Sequence, residues 1–205
     1  MSSSHTLRVS RVLHGVAAEG PGRRTAIWVQ GCTIRCPGCI NPNLFNPNGG
    51  VLTDIDDIVR NAVEAGVEGL TILGGEPFDQ AEQCAELAGR AHESGLGVIC
   101  FTGYTRDALT GDAAERLLRD VDLLVDGPYL ADDPETARSL VGSTNQRFIH
   151  LTDRYRDFDP TQSKNRLELR LTPSGAVEAA GFLDSQELDQ LRVALDSRRA
   201  PHRNE

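Results

Sequence analysis

Basic side chains are scarce in this chain of 205 residues: 21 Lys and Arg stand against 30 Asp and Glu, for a net charge of −9. That balance excludes a general nucleic-acid binder, which carries a basic face. Lys164 is the one lysine and the remaining basic residues are arginines, a compositional bias with no mechanism attached. No apolar stretch approaches the roughly 18 residues that a membrane-spanning helix needs. The opening MSSSHTLRVS offers no apolar segment of the kind a secretory signal requires. Internal repeats and low-complexity blocks are also missing. The expectation is a soluble cytoplasmic protein with neither membrane nor nucleic acid among its partners. With 39% hydrophobic residues, there is enough apolar material for one ordinary core.

Cysteine is sparse but unevenly placed. Of 5 cysteines, Cys32, Cys36 and Cys39 crowd into GCTIRCPGC. An odd total with tight clustering does not suit a disulfide framework. Pro37 and Gly38 inside the cluster make a poor helix or strand, so a loop that folds its thiolates toward one point is expected. A structural zinc site draws its ligands in pairs and needs four. Here His14 and His150 are distant in sequence, and Cys84 and Cys100 lie in separate apolar segments where they read as small buried side chains. Four-iron clusters are ordinarily held by four cysteines, so three thiolates suit a cubane with one iron left open to a substrate or cofactor. Zinc and simple packing stay open as alternatives on the spacing alone.

Around this loop the chain alternates strand-like and helix-like segments. TAIWVQ (residues 25–30) precedes the cysteines as a buried strand, and Asn/Pro/Gly-rich sequence follows them. A helix is expected over 54–65 with Thr53 or Asp54 as N-cap, a strand over 69–73, and a helix over about 79–94 ended by Gly95. A strand over 96–101, a helix over about 112–119 and a strand over 121–126 complete the series. Continuously apolar strands separated by helices argue for a parallel sheet, whose ligands gather at the carboxyl ends of the strands. GCTIRCPGC, GGEP, TGYT and DGPY all fall at such ends. A full eight-fold barrel takes about 250 residues, so the α/β fold expected here is an incomplete, laterally open parallel (β/α) barrel. Beyond about His150 the pattern changes to a hairpin around Pro173-Ser174-Gly175 and a short helix over 185–196. The expected division is a core of residues 1–155 and a C-terminal hairpin-plus-helix extension of residues 156–205.

Taken together, GPGRRTAIWVQGCTIRCPGCINP, LGGEP, FTGY, LLVDGPY and GSTNQR resemble the radical S-adenosylmethionine (SAM) superfamily. The likeness covers about residues 10–150, and the GPG-R and GSTNQ stretches are similar to activators of glycyl-radical enzymes, those of anaerobic ribonucleotide reductase in particular. The resemblance implies that Cys32, Cys36 and Cys39 hold a [4Fe-4S] cluster whose open iron is chelated by SAM. It implies that Gly74 and Gly75 let backbone approach the methionine moiety, that Glu76 faces its ammonium, and that Pro77 starts the next helix. Gly38, Cys39 and Ile40 are expected to line the SAM site, with Thr102, Asp126 and Asn145 as further contacts and Ser143 and Gln146 closing the pocket. The implied reaction is reductive cleavage of SAM to a 5′-deoxyadenosyl radical that takes a hydrogen from a glycine of a partner glycyl-radical enzyme. A flavodoxin or ferredoxin is the implied reductant. Arg23 and Arg24 are either solvated or place an anionic group near the cluster, and Tyr104 reads as packing. Modification of a peptide or metabolite, and a non-catalytic iron–sulfur electron carrier, are the competing functions; GGEP and its companion motifs speak against the carrier.

Overall fold

The computed structural model describes residues 5–172, 174–182, 190 and 193. The first strand, β1 (Thr6–Val16), runs antiparallel to both β2 (Arg24–Val29) and β3 (Val51–Asp54). Helix α1 (Ile55–Glu64) then leads to β4 (Gly69–Gly74), α2 (Ala81–Glu93) to β5 (Gly97–Phe101), and α3 (Asp112–Arg119) to β6 (Leu123–Asp126). Strand β7 (Arg147–His150) pairs antiparallel to β6. The seven strands form one sheet in the order β3-β1-β2-β4-β5-β6-β7. Its edges are β3 and β7, so the sheet does not close.

The expected parallel sheet is therefore corrected to a mixed one. Only β2, β4, β5 and β6 run parallel, in the registers Trp28↔Leu73, Ile72↔Cys100 and Cys100↔Leu124. Antiparallel strands flank them on both sides. The physical reason is local. β1 meets β2 through a short Gly-Pro-Gly connection with positive φ at Gly20 and Gly22, which suits an antiparallel pair and is too short for a parallel crossover.

The helices sit where their sequences direct. In α1 the Asp54 carboxylate accepts from Asp57 N–H at 3.1 Å as N-cap. Ile55, Ile58, Val59 and Ala62 form its buried stripe. In α2, Cys84, Ala85, Leu87, Ala88 and Ala91 do the same, and Gly95 at φ 76° ends it. All three helices pack on one sheet face, against Ile27, Val29, Leu70, Ile72, Val98, Cys100 and Leu124.

The opposite face is covered differently. Trp28, Ala26 and Leu73 meet Leu13, Val16 and Ala180, while Ile99, Leu123 and Val125 meet Val141 and Tyr155. Ala180 belongs to a separate hairpin, β8 (Leu167–Leu171) and β9 (Val177–Gly181). Its polar groups face the core: Glu168 accepts from Ala17 N–H at 2.9 Å, Arg170 donates to His14 carbonyl at 2.6 Å, and Arg11 donates to Ala179 carbonyl at 2.6 Å. The hairpin matches the sequence expectation, although Pro173 in its turn lies outside the described residues. The helix expected over 185–196 lies almost wholly outside them too, with Gln190 and Val193 alone described and helical.

At the amino ends of the parallel strands, Arg24 is fully buried. Its guanidinium donates to Thr71 Oγ1 (2.6 Å), Tyr155 Oη (2.8 Å), Glu68 and the carbonyls of Pro21, Leu70 and Gly97. A charge can stay this deep only with its donors spent. Among the described residues no helix is long and apolar enough to cross a membrane.

Candidate functional site

The carboxyl ends of β2, β4, β5 and β6 lead into four loops that enclose a cavity of about 150 Å³. Cys32, Cys36 and Cys39 line it, together with Gly74, Gly75, Glu76, Thr102, Gly103, Gly127, Tyr129 and Gln146. All three thiols are free and half-buried. Burial pushes the Cys32 and Cys39 thiols upward.

Backbone stitching brings the cysteine loop against the next strand end. Gly75 N–H donates to Val29 carbonyl at 2.9 Å and Glu76 N–H to Gly31 carbonyl at 2.8 Å. A Cβ on Gly75 would lie 2.0 Å from the Gly31 carbonyl oxygen. Gly74 has φ 107°, and a Cβ there would lie 2.6 Å from Trp28 Cα. Both positions demand glycine on steric grounds.

Glu76 is nearly inaccessible. Its Oε1 accepts from Phe78 N–H (2.9 Å) and Thr102 Oγ1 (2.8 Å), and its Oε2 from Gly103 N–H (2.9 Å). Burial nevertheless raises the carboxyl to about 7, against the lowering effect of these three bonds. The same side chain caps the short 3-10 turn Pro77–Gln80, so helix-start and cavity-lining roles coexist.

Other expected residues fall outside this cavity. Asp126 is fully buried and does not line it. Its oxygens are taken by the Arg147 guanidinium (Nε at 2.9 Å) and by Arg106 N–H (2.6 Å). Asp126 thus ties β6, β7 and the loop after β5 together. Asn145 donates to Pro128 carbonyl at 2.8 Å, leaving a buried Oδ1 with no partner among the described residues. Ser143 is buried, its Oγ accepting from Leu130 N–H at 3.1 Å. Gly38 turns the cysteine loop at φ 78°, Pro77 is buried at the start of its turn, and Ile40 lines a neighbouring cavity. Arg23 and Arg24 stand at the opposite ends of the strands from the cysteines, which removes both from any cluster role. His14 bonds Thr25 Oγ1 at 2.9 Å and His150 ends β7, neither lining the cavity. Cys84 and Cys100 are fully buried on the helical side of the sheet, as expected of structural residues.

Tyr129, Gly103 and Gly127 also line the cavity, and the FTGY and DGPY stretches that contain them are the sequence signal for all three. A neighbouring cavity of about 530 Å³ lies between the sheet and the hairpin, with no contiguous motif in the sequence to mark it. That chamber shares Gly74, Phe101, Tyr129 and Gln146 with the first and is walled by Trp28, Arg11, Glu19, Ala179 and Phe182. The Arg11 guanidinium lies 3.7 Å above the Trp28 ring.

The donor chemistry narrows the ligand. Among the described residues no set of three or more His, Cys, Asp or Glu side chains is gathered tightly enough for a single metal ion. The three thiols share the wall of one cavity.

The 4Fe-4S single cluster domain family matches residues 18–149. The anaerobic ribonucleoside-triphosphate reductase-activating protein of Escherichia coli (strain K12) is 30% identical over 143 residues, 65% of this chain and 92% of that protein. The protein of the same name from Enterobacteria phage T4 is 29% identical, over 66% of this chain and 88% of its own. The pyruvate formate-lyase-activating enzyme of Listeria monocytogenes is 28% identical over 68% of this chain and 59% of its own length. Among solved structures, QueE from Escherichia coli aligns with 51% of this chain and 59% of its own at TM-score 0.41 and 15% identity, a likeness too slight to carry an argument.

Proposed function

Because the chain belongs to the 4Fe-4S single cluster domain family, we propose that Cys32, Cys36 and Cys39 hold its cluster and that the cavity beside them takes S-adenosylmethionine. The chain is a radical SAM activating enzyme, with a [4Fe-4S] cluster and S-adenosylmethionine as cofactors and a glycyl-radical enzyme as substrate. Within that class our reading of the partner is an anaerobic ribonucleoside-triphosphate reductase, in keeping with the relatives of that name, and of the electron donor a flavodoxin or ferredoxin. Residues 1–155 then form the core, an incomplete and laterally open barrel, and residues 156–205 its extension. The observation that carries this reading is the meeting of three thiols and a Gly-Gly-Glu strand end in one cavity.

The chemistry supplied by the bound cluster is one-electron cleavage of S-adenosylmethionine to methionine and a 5′-deoxyadenosyl radical, which takes hydrogen from a glycine Cα. The chain's own residues bind and orient. Gly74 and Gly75 expose backbone for close approach. Glu76, held by Thr102 and Gly103, presents a buried carboxyl whose ionised form is favoured once an ammonium group lies beside it. Asn145 stands beside Gly127 of the cavity wall, its Oδ1 a buried acceptor with no partner among the described residues. Asp126 acts on the frame, through Arg147.

A second reading, modification of a peptide or metabolite, draws on the hairpin that walls the 530 Å³ chamber. The test of the first is anaerobic reconstitution with iron and sulfide, then a SAM-cleavage assay with dithionite. Formation of 5′-deoxyadenosine that disappears in Cys36→Ala and persists in Cys84→Ala is the expected result. A fully loaded cluster with no cleavage overturns the reading in favour of an electron carrier.

A further inference from the structure

The cysteine loop carries one tether that the proposed function leaves unused. Thr33, directly after Cys32, donates its backbone N–H to Asp79 Oδ2 at 2.8 Å and its hydroxyl to Asp79 Oδ1 at 2.8 Å. Tyr104 Oη lies 2.9 Å from the same hydroxyl. A threonine hydroxyl has one proton and a carboxylate has none, so the direction of the chain is fixed. Tyr104 donates to Thr33, and Thr33 donates to Asp79.

Each member comes from a different strand end. Thr33 follows β2; Asp79 sits in the turn after β4, its N–H donating to Glu76 carbonyl at 3.1 Å; Tyr104 follows β5, its N–H donating to Thr102 Oγ1 at 3.1 Å. The turn that bears Asp79 is therefore the one that bears Glu76, and the loop that bears Tyr104 also bears the residue orienting Glu76. Among the described residues, no other side chain from outside the segment hydrogen-bonds to residues 32–38. That segment has no regular structure of its own, so its placement depends on what grips it from outside.

We propose that Asp79 is the positioning residue of the cysteine loop, fixing Cys32 against the Gly-Gly-Glu strand end through both donors of Thr33. This deepens the proposed function and rests on its assignment of Cys32 as a cluster ligand. Asp79 and Thr33 are both exposed, so their loss leaves the core intact and falls on the loop.

The experiment measures iron release from the anaerobically reconstituted protein into a strong chelator, alongside thermal melting of the cluster-free chain. Asp79→Ala removes both acceptors, and iron release should quicken roughly tenfold, the scale of hydrogen bonds to a charged group. Thr33→Val keeps the N–H bond and loses the hydroxyl, and should fall between Asp79→Ala and the unmodified chain. Thr33→Ser keeps both donors and should restore the original rate, a rescue that general destabilisation does not produce. Melting should be unchanged throughout. Release rates in Asp79→Ala and Thr33→Val equal to that of the unmodified protein overturn the proposal, as does a Thr33→Ser rate as fast as that of Thr33→Val. A protein that takes up no iron at all refutes the cluster assignment beneath it, a distinguishable failure.

Discussion

Glu19 lets a single buried carboxyl be read as a pH dependence of stability. It lies almost fully buried between the first strand and the hairpin, its Oε1 accepting from Gly181 N–H at 2.6 Å and its Oε2 without a partner among the described residues. Burial raises its carboxyl from 4.5 to about 7, outweighing the Gly181 bond and the Arg11 charge that pull it down, while Glu168 pushes it further up. The folded protein thus holds a proton that the unfolded chain releases. Its stabilising contribution is complete below about pH 4.5 and is lost as pH rises through 7. At 1.36 kcal/mol per pH unit, the loss is worth about 3 kcal/mol by pH 8. Urea denaturation of the cluster-free chain at pH 5 and pH 8 reads it directly. Glu76 is raised to about 7 by the same cause and contributes a second decline of similar size. Glu19→Gln cannot ionise and should remove about half of the combined decline. The slope matters here, since the new amide also changes the absolute value by placing an NH₂ where Oε2 had no partner. His14, lowered by burial, titrates with the opposite sign and is common to both proteins. If Glu19→Gln loses as much stability between pH 5 and 8 as the unmodified chain, the burial argument is wrong.

Two further outcomes follow from packing. Arg24→Ala strips partners from Thr71, Tyr155, Glu68 and three carbonyls at once, and should cost about 3–5 kcal/mol in urea denaturation; a cost below about 1 kcal/mol would show the network to be dispensable. Gly75→Ala forces a Cβ into the Gly31 carbonyl and should lower SAM cleavage by about 100-fold through misplacement of the strand end while the far-ultraviolet circular dichroism is kept. Cleavage at the original rate would show that the two strand ends can part freely.

How much of this could be read beforehand depended on where each signal lives. The four parallel strands and three helices were legible because an apolar run such as GLTIL, or the Ile55–Ile58–Val59–Ala62 stripe, carries its own burial pattern. The flanking strands were not. β3 is four residues, mostly exposed, and β7 is Arg-Phe-Ile-His with both ends exposed; such edges are specified by the partner strand more than by themselves. β1 is long but broken by irregular pairing between Val9 and Arg11 and again between Leu13 and Val16, which spoils its alternation. At the site, the contiguous motifs were legible as neighbours: three cysteines, Gly-Gly-Glu and Thr102 line one cavity. The pairing of Asp126 with Arg147, 21 residues on, was not legible, because an acidic strand end reads alike whether it faces a ligand or an arginine. Asp79 was silent because its meaning depends on Thr33, 46 residues earlier.

The hairpin's grip on the first strand has a bearing on biosynthesis. Its anchoring contacts join residues 151 to 168 positions apart. At about 5–20 residues per second of translation, the partners of Arg11, His14, Ala17 and Glu19 reach the nascent chain on the order of ten seconds after those residues do. Until then Val16, Ala18 and Trp28 lack Ala180 and its neighbours as cover, leaving an apolar sheet face for chaperones or for other unfinished chains. A product released early, short of residue 167, carries that bare surface for its lifetime and is the form of this protein most prone to aggregate.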